Sequence, residues 1–421
     1  MIEPVISKQS LFLQVRSKIE EIADIICNLN FNKLSPGLMT GKAGLVLFLV
    51  NHARVFRNDD SAEKAYLLIN SLIDNINNTF EVFTFSDGLA GIGWLLMHLQ
   101  QYDMIEFNDE DLESIDSVLS VLMEKDFSKG NYDFLHGGIG YGMYFLERFQ
   151  KTNDPVHLDS AVNALEILCQ TDNDKQKWWE TEIHLSKVTR GVNLGLAHGM
   201  PGIISFLSRL NRKGINNEST GAMISDGCNY MFSKRQDHNI YRSRYPSWIQ
   251  KGIPAMSRLA WCYGDPGIGL AFSDANKALG NESWKKEYLE IFDICSLRRS
   301  MEDDFVFDAG LCHGSAGLAQ IFNRVFQMSK KEVYRESSEF WIRKTLEMAT
   351  HQDGLAGFKA YRSSQYGGWA NEPGLLEGIA GTGLALIASI SNEDTGWDKC
   401  LLIKNLIDEI LFGKFLILGN G

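Results

Sequence analysis

Short apolar runs recur along the chain, and a pair of glycines introduces each of them. The sequence contains seven Gly-x-x-Gly elements that lead directly into strongly hydrophobic stretches. They begin at Gly41, Gly88, Gly137, Gly199, Gly264, Gly314 and Gly378. A helix that is apolar nearly all round is buried on all sides, so each stretch is predicted to form a helix in the interior of the fold.

The segments between the glycine pairs are amphipathic instead. One of them carries a single apolar stripe at helical spacing, made of Ala65, Leu68, Ile69, Leu72, Ile73 and Ile76. A helix of this kind buries one face and exposes the other, so it belongs outside the buried helices. Seven pairs of inner and outer helices predict an all-α (α/α)7 toroid of about fourteen helices, built as one domain over residues 1–421.

The glycines themselves are predicted to be structural. Each pair lies where a loop enters an inner helix, and glycine permits positive φ angles and close contact between backbones. Longer stretches between some of the pairs predict loop insertions at 172–195 and 236–257. The aromatic and arginine side chains of 236–257 suit a lip that contacts a peptide, and a loop packed over the outer helices is the alternative.

Composition narrows the class of protein. The chain has 421 residues, of which 44% are hydrophobic and 22% charged, as is typical of a globular protein. It carries 41 Lys and Arg against 53 Asp and Glu, and the net charge of −12 disfavours binding to nucleic acid. The purely apolar stretches are far shorter than the roughly 20 residues that a membrane-spanning helix needs.

The cysteines and the first residues indicate a reducing compartment. The seven cysteines are scattered and odd in number, which does not fit a secreted disulfide framework. Met1-Ile2-Glu3 places an acid where a signal peptide carries basic residues. We therefore expect a cytoplasmic protein, and peripheral association with a membrane stays open.

The residue before each first glycine occupies one position of the repeat. In a toroid these residues would surround one end of the ring, which we call the mouth. They are Thr40, Asp87, His136, His198, Tyr263, His313 and Glu377. Thr40 and Asp87 are interpreted as helix caps, and His136 and Glu377 as groups at the rim of the mouth.

Three metal-ligating side chains fall at this position or directly before it. Cys262 precedes Tyr263 in the fifth repeat, and Cys312 precedes His313 in the sixth. Two thiolates and one imidazole suit zinc and leave a fourth tetrahedral position open, as in catalytic rather than structural zinc sites. The remaining cysteines are interpreted as small core hydrophobes, at Cys27, Cys169, Cys228, Cys295 and Cys400.

Three strings around these residues resemble the signatures of the lanthionine synthetase C-like proteins, the lantibiotic cyclases. They are Leu196-Ala197-His198-Gly199, Trp261-Cys262-Tyr263-Gly264 and Cys312-His313-Gly314. The resemblance covers essentially the whole chain, because the glycine motifs follow in the family's order. It implies zinc ligands at Cys262, Cys312 and His313, and further active-site residues at His198, Tyr263, Arg258 and Asp133. His136 departs from the pattern, since the resemblance implies an acidic residue there.

The resemblance also implies an activity. A cyclase of this family adds the Cys thiolate of a modified precursor peptide to a dehydroalanine or dehydrobutyrine, which closes a (methyl)lanthionine thioether ring. Zinc is the implied cofactor, and a dehydratase and a transporter are implied partners. We expect His198 to protonate the enolate, and Asp133 to orient His198 and take the thiol proton.

The remaining roles have structural alternatives. Arg258 is expected to hold Asp133 or to polarise the substrate carbonyl, and a purely structural ion pair between the two is the alternative. Tyr263 is either a proton donor or part of the pocket wall. Other functions stay open as well: zinc-dependent prenyl transfer to a thiol, addition of glutathione to dehydroamino acids, or a non-catalytic scaffold that binds thiols or peptides.

Overall fold

Two concentric rings of helices make up the protein. A computed structural model describes residues 8–76, 81–106, 112–172, 176–184, 188–250, 256–363 and 367–404. The inner ring consists of α2 (Lys42–Phe56), α4 (Leu89–Gln101), α6 (Gly138–Thr152), α8 (Met200–Arg212), α11 (Asp265–Leu279), α13 (Ser315–Ser329) and α15 (Ile379–Ile390). Each inner helix begins directly after the first glycine of a pair and contains the second in its first turn, where nearly all side chains are buried. The all-α (α/α)7 toroid predicted from the repeat is confirmed.

The outer ring is amphipathic, as the stripe on one of its helices predicts. It consists of α1 (Lys8–Cys27), α3 (Asp59–Ile76), α5 (Glu113–Ser128), α7 (Val156–Leu168), α9 (Asn217–Ser233), α12 (Glu282–Leu297) and α14 (Glu332–Glu347). In α3, Leu68 and Leu72 are buried while Tyr66 and Leu67 are exposed. A four-residue helix, α10 (His238–Tyr241), adds to the fourteen that the repeat predicts. None of these helices has the length and apolarity to cross a membrane.

The ring closes by pairing the two ends of the chain. The outer partner of α15 is α1, and α15 also packs on α2. Backbone hydrogen bonds join the loops at the mouth, and most of their donors stand two positions before the first glycine of a repeat. Leu376 N–H donates to Met39 O at 2.9 Å, and Met39 N–H donates to Ser86 O at 2.8 Å. Cys312 N–H donates to Leu376 O at 3.0 Å, so this chain of bonds includes a predicted metal ligand.

Close approach between backbones requires the glycine pairs, and Gly264 is the one paired glycine that also has a positive φ, of 154°. Gly41 caps α2 with φ −131°, an extended conformation that any residue adopts. A Cβ on Gly264 would lie 2.1 Å from the carbonyl oxygen of Arg258, and one on Gly381 would lie 1.9 Å from that of Leu375. Both glycines of a pair thus pack against the residue six positions earlier. Any side chain there would push the mouth loop away from its helix.

Seven short strands of the described residues lie outside the rings. They are β1 (Gln170–Thr171), β2 (Lys177–Trp178), β3 (Thr181–His184), β4 (Val188–Asn193), β5 (Trp248–Ile249), β6 (Ala360–Tyr361) and β7 (Trp369–Ala370). The strand β4 pairs antiparallel with β3 and β5, and β6 pairs antiparallel with β7. Residues 173–175, 185–187 and 251–255 of the two predicted insertions lie outside the described residues.

The aromatic residues of the predicted lip, 236–257, divide between two environments. Tyr245 is buried, and its hydroxyl donates to Glu287 of α12 at 2.6 Å. Trp248 instead stacks on Tyr263 at the mouth, with ring centroids 6.3 Å apart. One part of the segment therefore packs against an outer helix, and another part adjoins the predicted site.

A buried segment, 395–404, fills the end of the ring opposite the mouth. Its backbone accepts a hydrogen bond from Trp261 Nε1 to Leu401 O at 2.7 Å and another from Arg209 Nη2 to Lys404 O at 3.0 Å. Asp398, which is fully buried, pairs with Arg324 of α13 at 2.7 Å. Because Trp261 directly precedes Cys262, this segment also supports the loop that carries a predicted metal ligand.

His98 of α4 gives a prediction about acid stability. Its ring lies between Trp94 and Tyr102, with centroids 4.8 and 4.9 Å away, and neither ring nitrogen has a hydrogen-bond partner in the described residues. Burial, reinforced by the positive charges of Lys399 and Lys404, lowers the pKa of His98 well below its usual value. The folded state therefore keeps His98 neutral, whereas the unfolded chain takes up a proton below about pH 6.5.

The free energy of unfolding of the native chain should consequently fall as the pH drops below 6.5. The contribution of His98 approaches about 1.4 kcal/mol per pH unit. His98→Phe should remove this contribution, and urea denaturation of both proteins at pH 7, 6 and 5 measures it. Parallel curves for the two proteins would show that His98 does not carry the effect.

Candidate active site and metal centre

The seven residues before the first glycines surround the mouth as the repeat predicts. All are at least partly exposed, and the residues directly before and after them are buried in nearly every repeat. The interpretation of Thr40 and Asp87 as helix caps is wrong, because Gly41 and Gly88 cap their helices without a side-chain hydrogen bond. Thr40 instead donates its hydroxyl to Asp87 across two loops.

Cys262, Cys312 and His313 come together at this mouth. One ligand atom from each side chain lies within 4.8 Å of the other two. Ligand atoms around tetrahedral zinc are separated by roughly 3.5–3.8 Å, as zinc–sulfur bonds of about 2.3 Å and zinc–nitrogen bonds of about 2.0 Å require. The three donors therefore need to move by only about an ångström to hold an ion, and their soft thiolates suit zinc.

The charges in the cluster also suit a cation. A hydrogen bond from Cys312, together with the charges of His313 and Arg258, lowers the pKa of Cys262 well below its usual value. The same pairing raises the pKa of Cys312 well above the usual value. Burial opposes a charge on His313, but Asp308 and Cys262 outweigh it and raise its pKa to about 10. The cluster thus attracts positive charge, which a divalent ion would supply.

Asp308, which the sequence analysis did not single out, supports the cluster. Its carboxylate is buried, with an exposed fraction of 1%, and lies 3.4 Å from His313 Nε2. Burial would raise the pKa of Asp308, but hydrogen bonds from His313 and from the backbone hold it below the usual value. A carboxylate behind a metal-binding imidazole is the common arrangement in zinc proteins.

His198 and Asp133 form a second pair at the mouth. His198 Nδ1 lies 2.7 Å from Asp133 Oδ2, and the other oxygen of Asp133 accepts the backbone N–H groups of Leu135 and His136 at 2.8 Å. Burial opposes the charge on either side chain, yet their mutual bond raises the pKa of His198 and lowers that of Asp133. The pair leaves Nε2 as the ring nitrogen of His198 that is not engaged by Asp133.

Tyr263 completes a row of rings. Its ring lies 6.0 Å from that of His198, and the ring of His136 lies 6.0 Å from His198 on stacked planes. Asn193 Nδ2 donates to the Tyr263 hydroxyl at 3.1 Å. Burial raises the pKa of Tyr263 to about 12, so the phenol keeps its proton. Because the oxygen already accepts a bond, that proton is available to another acceptor.

The position of Arg258 does not agree with the expectation that it holds Asp133. Within the residues that the structure describes, no ion pair or hydrogen bond joins it to Asp133, whose partner is His198. Its positive charge instead acts on Cys262 and contributes to the lowered pKa of that thiol. Glu377, at the rim, has a pKa raised by burial, and its charge acts on Cys312 and His313 without a hydrogen bond to them.

A cavity of about 510 Å³ adjoins the pair of His198 and Asp133, which both line it. Residues 129–132 and Glu180 also line it, together with Glu182 of β3 and Arg190 of β4. The volume is typical of a ligand site. The remaining cysteines are free thiols away from the cluster: Cys228, Cys295 and Cys400 are buried, and Cys27 and Cys169 partly so.

Comparison with known proteins decides the family. The family model described as "Lanthionine synthetase C-like protein" matches residues 32–402. The chain belongs to the lanthionine synthetase C-like family. The resemblance seen in the sequence is thereby confirmed.

Individual members of the family show how far the similarity extends. Nisin biosynthesis protein NisC of Lactococcus lactis subsp. lactis is 25% identical over 422 residues, covering 92% of this chain and 92% of the relative. Glutathione S-transferase LANCL1 of Danio rerio is 22% identical over 351 residues, covering 78% of this chain and 80% of the relative. A solved structure of nisin cyclase matches with a TM-score of 0.71 at 20% identity, over 92% of this chain and 97% of the other, so the folds are alike.

Asn193 and Asp308 support the site of this lanthionine synthetase C-like chain but were not predicted from the sequence. Their position in the repeat nevertheless indicates them. Asn193 and Asp308 each stand six positions before the first glycine of a repeat, at Gly199 and Gly314. That position packs against the glycine and holds a polar side chain in six of the seven repeats. Polar residues at this second point of the repeat are the signal that would have found them.

Proposed function

We propose that this chain is a zinc-dependent cyclase that closes (methyl)lanthionine rings in a dehydrated precursor peptide. The observation that carries the proposal is the presence of two separate groups at one mouth. One is the cluster of Cys262, Cys312 and His313, and the other is the pair of His198 and Asp133. The relationship to a nisin biosynthesis protein supports the same reading.

The metal cluster accounts for activation of the thiol. Zinc bound by two thiolates and one imidazole would supply an electrophile that lowers the pKa of a substrate cysteine from its usual value of about 8.5. Arg258 adds a positive charge beside Cys262 and so favours thiolates in this part of the site. Asp133, held as a carboxylate by its bond to His198, is the base of the second pair that would take the thiol proton.

The His198 pair accounts for the other half of the reaction. The substrate sulfur bonds to the β-carbon of the dehydroamino acid, and the electrons of the C=C bond move to the carbonyl as an enolate. Asp133 stabilises the protonated form of His198, which would deliver a proton from Nε2 to the α-carbon. Tyr263 retains its proton at neutral pH and would donate a hydrogen bond to the enolate oxygen, which stabilises the developing charge.

Access for a peptide and the choice of substrate follow from the same geometry. The cavity lined by Asp133 and His198 is the space through which a peptide segment would reach this pair. No residue that directly precedes a first glycine is Lys or Arg, whereas prenyl transfer needs basic groups for a diphosphate.

We further propose a cytoplasmic location, with association at a membrane surface left open, and a dehydratase and a transporter as partners.

The decisive assay counts free thiols. Purified, zinc-loaded protein is incubated with a dehydrated peptide that contains one cysteine, and the product is alkylated and weighed by mass spectrometry. Cyclisation leaves the mass unchanged and removes one alkylation site. Free glutathione added to a cysteine-free dehydrated peptide forms the second arm. Glutathione transfer without ring closure would favour the activity named in the Danio rerio relative, and reaction in neither arm would contradict the proposal.

Metal content is predicted independently of the assay. The three clustered ligands should hold about one zinc per chain, the stoichiometry of a single catalytic site. Elemental analysis of protein purified without added metal measures it. Iron in place of zinc, or protein that cannot be loaded with zinc, would remove the thiol-activation step.

A further inference from the structure

We infer that Asp308 positions His313 for the metal, and that the hairpin of β6 and β7 fixes Asp308 in turn. The inference rests on the metal site of the proposed function, but it concerns how that site is built rather than what reaction it serves. Asp308 is a positioning residue in this account, since it acts through His313 and touches no substrate.

Both oxygens of Asp308 are held in place. Oδ1 accepts the backbone N–H of Gly310 at 3.0 Å, and Oδ2 accepts that of Tyr361 at 2.8 Å. Oδ2 also lies 3.4 Å from His313 Nε2. A buried carboxylate with a backbone donor on each oxygen cannot rotate freely, so it presents a fixed acceptor to the imidazole.

This fixed acceptor selects the tautomer of the ligand. When Nε2 carries its proton toward Asp308, the lone pair is on Nδ1, and that nitrogen is the one left to join the two sulfurs. Without the carboxylate, the carbonyl oxygen of Tyr361 at 3.4 Å would remain as an acceptor for that proton, but the imidazole would lose its charged partner and be held less firmly. The free energy needed to order the imidazole would then reduce the affinity for the metal.

The hairpin contributes through one residue. Tyr361 donates its N–H to Asp308, and its carbonyl oxygen lies 3.4 Å from His313 Nε2. Its ring packs against Phe307 and Trp369, with centroids 5.1 and 5.0 Å away. These contacts hold β6 against the loop that bears both Asp308 and His313. The orientation of His313 therefore depends on the position of the hairpin.

Glu377 provides a matched control, because its charge also acts on His313 but no hydrogen bond joins the two. We would compare Asp308→Asn, Asp308→Glu and Glu377→Gln with the parent chain. Zinc affinity is measured by competition with a chromophoric chelator, on the full chain without peptide. Thermal melts of the metal-free proteins establish that each is folded.

Asp308→Asn should raise the zinc dissociation constant about 10–100-fold, the usual effect of losing such a supporting partner. Asp308→Glu keeps the charge but displaces the carboxylate, so it should lose less zinc affinity than Asp308→Asn. If Asp308→Asn does not fold, Asp308→Glu is the variant that tests the inference. Glu377→Gln should stay within about threefold of the parent. Equal losses in Asp308→Asn and Glu377→Gln, or parental affinity in Asp308→Glu and Asp308→Asn, would overturn the inference.

These measurements are separate from the cyclase assay. A parent chain that binds zinc but closes no ring would contradict the proposed function and leave the role of Asp308 intact. An Asp308→Asn chain with parental zinc affinity would remove the inference and leave the proposed function as it stands.

Discussion

Cys312→Ala is expected to abolish zinc binding and thioether formation together. The substitution removes one of three clustered donors and also the partner that lowers the pKa of Cys262, so the remaining cysteine and histidine hold the ion weakly. Ring closure should fall to the rate of the metal-free protein. Elemental analysis and the alkylation assay measure the two losses on the same sample.

Cys228→Ala is the matched control for this substitution. Cys228 is a buried, free thiol in the outer helix α9 and takes no part in the cluster. Zinc content and activity should both remain near those of the parent chain. A Cys312→Ala protein that retains zinc and activity would show that the ligand set is wrong.

His198→Ala is expected to separate metal binding from catalysis. His198 belongs to the pair with Asp133 and not to the metal cluster, so zinc content should be unchanged. Loss of a positioned general acid should slow ring closure by about 10²–10⁴-fold. His136→Ala is the control, because its ring stacks beside His198 but is more exposed, and because its hydrogen bond to Asp133 comes from the backbone N–H that alanine retains. Parental rates in His198→Ala would move proton transfer to another residue.

The pH profile gives the same prediction a second readout. Asp133 raises the pKa of His198, so the protonated form persists to higher pH than in a free histidine. The rate should fall as the pH rises through that pKa. Asp133→Asn removes the charge, which lowers the pKa and should move this decline to lower pH.

The contacts between distant repeats could be predicted only in part. The repeat position predicts that Cys262, Cys312 and His313 meet, because equivalent positions of neighbouring repeats adjoin in a ring. It does not predict that Asp133 pairs with His198, since the loop before α6 must turn its carboxylate toward the next repeat. The same limit applies to Arg258, whose charge acts on Cys262 and whose expected ion pair with Asp133 is absent from the described residues.

The spacing of apolar and glycine positions by itself determined the toroid, the number of its repeats and the identity of the mouth residues, because helical periodicity and backbone clearance are local properties of the chain. Tertiary structure alone decided which polar groups pair across the mouth. Asp133 reaches His198, and Tyr361 reaches Asp308, only because loops far apart in sequence are brought within hydrogen-bond distance. Such contacts depend on the packing of whole helices, and no short stretch of sequence encodes them.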